Sequence, residues 1–195
     1  DLLSEFNVSE LDSISFASSA KTITIVYNGT TATVTNPLAG KGVSVTVNGA
    51  DVTVNSTLDD NDITYNLKGT ASEGSFKIYS ISKFNLKLNG LAITNSDGPA
   101  INIQSKKKCN LTLAAGTSNT LTDGATYATS SEDQKAALFS EGQIDFDGSG
   151  SLTIKSNSAH AICSDDYIDI QSGNITVLGA SKDAVHANDF FKMSG

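Results

Sequence analysis

One phrase, apolar-x-small-x-x-x-apolar-x-apolar, returns five times between Ile78 and Met193, and it limits the possible folds more than any other feature of the chain. Its small position is Ser80, Ser105, Ser140, Ser164 and finally Ala187. The first apolar column reads Ile78, Ile103, Leu138, Ile162, Val185; the second reads Phe84, Cys109, Ile144, Ile168, Phe191; the third reads Leu86, Leu111, Phe146, Ile170, Met193. The small residues stand 25, 35, 24 and 23 positions apart. That is one repeat of roughly two dozen residues, interrupted by one insertion.

The segments inside the repeat alternate with period two, as in Phe84-Asn85-Leu86-Lys87-Leu88 and Val43-Ser44-Val45-Thr46-Val47, with Gly, Asn, Asp and Ser between them. These are strands, and the chain is all-β. A repeat of strands and turns this short cannot bury its own apolar face, so stacked copies must bury it together, which predicts a single-stranded β-solenoid. A β-sandwich with coincidental strand spacing is the rival, and the solenoid is favoured because the columns also match in residue size. Each repeat adds a second inward pair, Leu91/Ile93, then Leu152/Ile154, then Ile175/Val177. The serine column suits a tight corner where larger side chains would clash.

Residues 1–60 follow the repeat less well and read as an N-terminal cap with the first coils, because terminal repeats must blunt open sheet edges. A separate small β domain is the alternative. One short helix, Leu2 to Leu11, is expected to cap an end. Residues 61–195 are the regular coils of a single 1–195 domain, and the strand-like ending at Phe190 to Gly195 suggests that the natural protein continues.

The apolar content of 38% is enough for a core without disulfides. The net charge is −8 and arginine is absent, which leaves little basis for a nucleic-acid footprint. No apolar run reaches membrane-spanning length and no signal peptide is visible, so the chain reads as soluble, mature or trimmed. Cys109 and Cys163 fall on opposite faces of their strands, so no disulfide is expected.

The run LNGLAITNSDGPAINIQSKKKCNLTLAAGTSNTLTDG (Leu88 to Gly124), with AALFSEGQIDFDGSGSLTIKSNSAHAICSDDYIDIQSGNITV and SKDAVHANDFF, resembles a bacterial family of secreted or surface carbohydrate-binding proteins. The resemblance covers roughly residues 40–195 and implies a right-handed parallel β-helix, related in shape to pectate lyases and carrying calcium. Asp183-Ala184-Val185 stands where the family usually has Asp-Gly-Ile, and Asn188 stands where an acid or lysine is expected.

The repeat places Asp165 opposite Asn188 and Asp166 opposite Asp189, one strand spacing (about 4.8 Å) apart. Two like charges at that distance repel by roughly 1 kcal/mol in water and about 3 kcal/mol at an effective dielectric of 20. A raised pKa, a nearby lysine or a bound cation could compensate. On the residues alone, solvated turn acids held by Asx hydrogen bonds are the simpler reading. The resemblance implies calcium instead, with Asp165, Asp166, Asp183, Asn188 and Asp189 as the ligand set, since calcium takes six to eight oxygens. Asp145 and Asp169 form a second outward pair, read as a solvated ladder with Lys192 beside it.

Tyr167 and Phe190 follow the acids in register and could present rings to a sugar. The insertion, Thr120 to Lys135, offers Asp123, Tyr127 and Asp133 as further ligand-binding candidates, because loops on a rigid scaffold often carry binding.

Catalysis has little support. Lyases of the pectate type use an arginine base, and the only lysine read as abutting the acidic turns is Lys182. Ser164-Asp165-Asp166 superficially matches a polygalacturonase motif, but its histidine and Arg-Ile-Lys companions are missing. His160 and His186 have no nucleophile at recognisable spacing, and His186 reads as a surface histidine rather than a metal ligand. The expected function is a non-catalytic polysaccharide-binding module, extracellular or on the bacterial surface, calcium-dependent or calcium-stabilised, for acidic plant or microbial glycans such as polyuronates. A structural or adhesive surface protein that uses calcium only for stiffness is the alternative, and a divergent polysaccharide lyase the third reading.

Overall fold

The computed structural model describes residues 21–194, and every regular element among them is a strand. The helix expected over Leu2 to Leu11 lies outside the described residues. In chain order the strands are β1 (Thr22–Gly29), β2 (Thr31–Thr35), β3 (Val43–Asn48), β4 (Asp51–Ser56), β5 (Thr64–Ala71), β6 (Ser75–Ser80), β7 (Phe84–Thr94), β8 (Ile101–Ile103) and β9 (Cys109–Leu113). They continue with β10 (Ser118–Thr122), β11 (Ala136–Ser140), β12 (Ile144–Gly148), β13 (Ser151–Lys155), β14 (His160–Ser164), β15 (Ile168–Ile170), β16 (Asn174–Gly179), β17 (Val185–Ala187) and β18 (Phe191–Met193).

These strands form two sheets, one of 11 and one of 7. The smaller runs β17-β14-β11-β8-β6-β4-β3. In the larger, β7 is long enough to be a branch point: its first half pairs with β9 and its last residues with β10, so the sheet divides into two arms. On the other edge of β7 lies β5, with a bulge between Leu67 and Gly69, followed by β1 and β2.

Both sheets are mixed. Strands β1 and β2 pair antiparallel, as do β3 and β4, while the later pairings are parallel. Each hairpin carries Asn-Gly at its turn, and Gly29 and Gly49 take φ of 68° and 62°, which glycine adopts without the Cβ penalty. The expected right-handed, wholly parallel β-helix, a single-stranded solenoid with one atypical cap, is therefore corrected to two mixed sheets of 11 and 7 strands. The local reason is that two short alternating segments joined by Asn-Gly close on themselves before any longer crossover is needed.

The repeat columns survive as strand register. Phe84, Cys109, Ile144, Ile168 and Phe191 are successive partners, as are Leu86, Leu111, Phe146, Ile170 and Met193. The first column slips once: Ile78 pairs with Ile103, but beyond the insertion Leu138 pairs with Ile101 and Ser140 with Ile103. A slip of two residues keeps every side chain on its original face, so the core is not disturbed. Along these columns Ile78, Leu86, Leu111 and Phe146 are wholly buried.

Two polar features stabilise the corners. The hydroxyls of Ser80, Ser105, Ser140 and Ser164 each accept the backbone N–H two residues on, at 3.3, 3.2, 3.2 and 3.0 Å, so the serine column caps successive turns. Asn119 sits in the inward column beside Leu152. Its Oδ1 accepts the N–H of Gly90 and Leu91 at 3.1 and 2.9 Å, and its Nδ2 donates to Ser151 O at 2.9 Å. The cysteines lie apart, Cys109 in the main core and Cys163 in a separate cluster with Ala136 and Phe139.

Candidate functional site

One outward column of the 7-stranded sheet runs Thr53, Lys77, Asn102, Phe139, Cys163, His186 in register. It is polar at one end, apolar in the middle and ends in a histidine. Over the polar end lies a groove of about 250 Å³, lined among others by Asp51, Ser75, Lys77, Asp97, Asn102 and Gln134.

Asn102 is only 3% exposed and lines this groove. The Nε2 of Gln104 donates both to Asp133 O at 2.8 Å and to Asn102 Oδ1 at 2.7 Å, which sets the orientation of both amides. That leaves Asn102 Nδ2 buried and without a hydrogen-bond partner. A buried donor left unmade costs about 1–3 kcal/mol, so the position invites an acceptor. The surrounding polar groups are held in place. Ser75 Oγ donates to Asp51 Oδ1 at 2.7 Å, and Lys77 Nζ lies 2.8 Å from Glu132 Oε2. Asn95 closes its own loop by donating to Pro99 O at 2.8 Å and accepting the Asp97 N–H at 3.2 Å.

The insertion forms the other wall by folding down on the sheet. Ala128 N donates to Asp97 O at 2.6 Å, and Tyr79 Oη donates to Glu132. Burial and the Glu132 carboxylate push the Tyr79 hydroxyl up to about 12. Asp123 is 2% exposed and accepts from Tyr127 Oη at 2.5 Å, Ser156 Oγ at 2.6 Å and Asn157 N at 2.5 Å. Burial, then the Asp123 carboxylate, raises the Tyr127 hydroxyl well above the ordinary tyrosine range. Asp123 and Tyr127, expected to touch a ligand, thus spend their polar atoms on anchoring the insertion. Gly124 beside them admits no side chain, because a Cβ there would lie 1.9 Å from Ser96 O. Asp133 is paired with Lys135 at 2.8 Å.

The acidic turns are met by side chains far away in sequence. Lys135 Nζ lies 2.7 Å from each carboxylate oxygen of Asp165, and Asn188 Nδ2 donates to Asp165 Oδ1 at 3.1 Å. Burial lowers the Lys135 pKa, but Asp133 and Asp165 outweigh it and hold the ammonium above its ordinary value. Asp166 accepts from Gln143 Nε2 at 2.7 Å and from the Tyr167 N–H at 2.9 Å. The reading of Lys182 as the only lysine at these turns is corrected by Lys135, which the end of the insertion delivers. As a calcium set, Asp165, Asp166, Asp183, Asn188 and Asp189 fit poorly: the ion wants several convergent oxygens, and the first two carboxylates face separate nitrogen donors. Asp183 instead faces two imidazoles, at 3.2 Å from His160 Nδ1 and 3.1 Å from His186 Nδ1.

Tyr167 and Phe190 do come together, but on each other, with ring centroids 4.7 Å apart and planes 13° from parallel. Lys108 Nζ stands 5.8 Å from the Tyr167 centroid, so Phe190, 48% exposed, keeps the more open ring. In the outward ladder, Lys108 pairs with Asp145 at 2.5 Å and Lys192 with Asp169 at 3.4 Å. The sequence reading missed Asn102 and the whole groove. The only available signal was that the insertion must lie over some outward column, and nothing in the sequence said which.

Among the described residues no helix is long and apolar enough to cross a membrane. Comparison with known proteins gives three findings. A family profile described as "Carbohydrate-binding domain-containing protein" matches residues 39–195. A relative with the same description from Acetivibrio thermocellus is 34% identical over 118 residues, which is 58% of this chain but 41% of the relative, so the match spans less than half of that protein. A solved structure described as the polysaccharide lyase-like protein from C. thermocellum, in a gadolinium derivative, superposes with a TM-score of 0.68 at 23% identity, covering 88% of this chain and 82% of its own. At that identity it speaks for the fold alone.

Proposed function

The chain belongs to the carbohydrate-binding domain-containing protein family, and from that premise we propose that it is a non-catalytic polysaccharide-binding module whose sugar site is the groove over Asn102. The observation that carries the reading is the unpartnered Asn102 amide on a groove otherwise lined by held polar groups. A sugar hydroxyl accepts from the amide and donates to Asp51 or Asp97, the pairing that hydroxyl-rich ligands offer and that apolar ligands do not. Thr53, Lys77 and Asn102 repeat at one strand spacing, about 4.8 Å, which is on the scale of one sugar ring.

Charge selects among glycans. Lys77 is already paired with Glu132, two aspartates line the groove, and the chain carries −8 overall, so an uncharged polymer enters more easily than a polyuronate. The expectation of acidic glycans rested on calcium bridging, and Asp165 and Asp166 spend their carboxylates on separate nitrogen donors, Lys135 and Gln143. No part of the binding is therefore routed through calcium.

Affinity gel electrophoresis tests this directly, with xylan, a soluble β-glucan and polygalacturonate in separate gels, each with calcium and with a chelator. Retardation by a neutral polymer in both conditions, abolished in Asn102→Ala at unchanged circular dichroism, is the expected result. Undiminished retardation of Asn102→Ala removes the groove from the reading. Retardation seen only with polygalacturonate and calcium returns the acidic turns as the site.

A further inference from the structure

His160, Asp183 and His186 each offer one ligand atom, and these atoms lie within 4.8 Å of one another, the single such group of three His, Cys, Asp or Glu side chains among the described residues. The two imidazoles stack with centroids 4.4 Å apart at 22°. This arrangement is independent of the groove and of the glycan reading.

The hydrogen bonds around the group decide which atoms carry lone pairs. Lys135 holds Asp165, whose Oδ1 accepts from Asn188 Nδ2 at 3.1 Å; the amide therefore turns its oxygen toward His186 Nε2, at 3.2 Å. His186 Nε2 must donate there, which leaves Nδ1 of the neutral ring as an acceptor. That Nδ1 faces Asp183 Oδ2, another acceptor, at 3.1 Å. On the other side, His160 Nδ1 accepts the Asp183 N–H at 3.1 Å and also stands 3.2 Å from the same Oδ2. The free lone pair of His186 Nδ1 thus faces a carboxylate oxygen, while the one lone pair of His160 Nδ1 is taken by the Asp183 N–H beside that same oxygen, and a positive charge among them turns the set attractive.

We propose that His160, Asp183 and His186 bind a divalent transition-metal ion of the zinc, nickel or copper class. Two nitrogens and one carboxylate oxygen suit these borderline ions, whereas calcium prefers oxygen alone. The observed 3.1 and 3.2 Å separations approach the edge of a coordination tetrahedron, about 3.3 Å for zinc bonds of 2.0–2.1 Å. Asp183 is well exposed, so water can complete the shell. Asn188 acts one step out: by accepting from His186 Nε2 it fixes the ring so that Nδ1 faces the metal. The Asp183 N–H bond to His160 Nδ1 is the one contact that metal capture would exchange.

Isothermal titration of the intact chain with zinc, in excess calcium, tests the assignment. One equivalent should bind in the wild type, no site should remain in His186→Ala or Asp183→Asn, and Asn188→Ala should bind about 10–100-fold more weakly. Nitrogen-15 spectra of the imidazoles give a second readout that does not depend on the variants: zinc should shift the Nδ1 resonances of both rings. If zinc leaves both rings unshifted, or if His186 proves doubly protonated and paired with Asp183 while zinc is present, or if zinc still binds His186→Ala with wild-type affinity, the proposal fails.

Discussion

Replacing Asp123 by alanine should destabilise the protein by about 3–5 kcal/mol. The carboxylate is buried and accepts from the Tyr127 and Ser156 hydroxyls and the Asn157 N–H, so its removal strands three donors. Each buried donor left unmade costs about 1–3 kcal/mol. Ser156 is itself buried and bears that cost in full, whereas Tyr127 and Asn157 are partly exposed and recover some of it from water. The sum therefore falls in the lower part of the additive range of about 3–9 kcal/mol. Asp123→Asn keeps one oxygen for the Asn157 N–H, and the two hydroxyls can rotate to accept from its amide, so it should cost only about 1–2 kcal/mol. Urea unfolding monitored by circular dichroism measures both. The alanine variant should also be cut faster by protease within residues 125–135, because Asp123 pins the start of the insertion. Equal losses in the two variants, or a loss below about 1 kcal/mol in alanine, would refute the argument that satisfied donors rather than surface charge fix this loop.

Two further outcomes are expected. Asn119→Leu completes an apolar column yet should lower stability by about 2–4 kcal/mol in the same urea assay, because the N–H groups of Gly90 and Leu91 lose their acceptor. Glu132 governs part of the acid response. Burial alone would raise its pKa, but Lys77 and the Tyr79 hydroxyl outweigh burial and hold it below the ordinary glutamate value. A carboxyl with a depressed folded-state pKa stabilises above its unfolded value, about 4.3, and loses that contribution as pH falls through the folded one. Glu132→Gln should therefore flatten the decline of melting temperature below about pH 4.5 and leave the pH 8–9 region parallel to wild type.

What could be read from the sequence was whatever depends on nearest neighbours along the chain or on exact repetition. Period-two alternation specified strands, and the recurrence of Ile, Leu and Phe at fixed offsets specified which residues pair, because matching columns bury the same faces. Serine at the small position followed from the corner it must fit. Where the repeat broke, the sequence was ambiguous. The insertion displaced one column by two residues, a shift invisible to face-by-face reasoning because it preserves the faces. The two Asn-Gly hairpins were present in the sequence, yet only their antiparallel closure made the sheets mixed.

The site depended on long-range placement. Asp165 and Asp166 were identified as acids needing compensation, but Lys135 and Gln143 reach them across 30 and 23 residues, a meeting set by how the insertion folds back and by which strands stack. Asn102 was missed, because nothing along the chain marks a strand asparagine that Gln104 and the insertion will enclose. His160 and His186, 26 positions apart, showed no partner at recognisable spacing, and His186 read as a surface histidine; stacking joined them around Asp183. Side-chain type and periodicity are properties of the sequence itself; an unmet hydrogen bond or a converging lone pair exists only once distant strands have come into register.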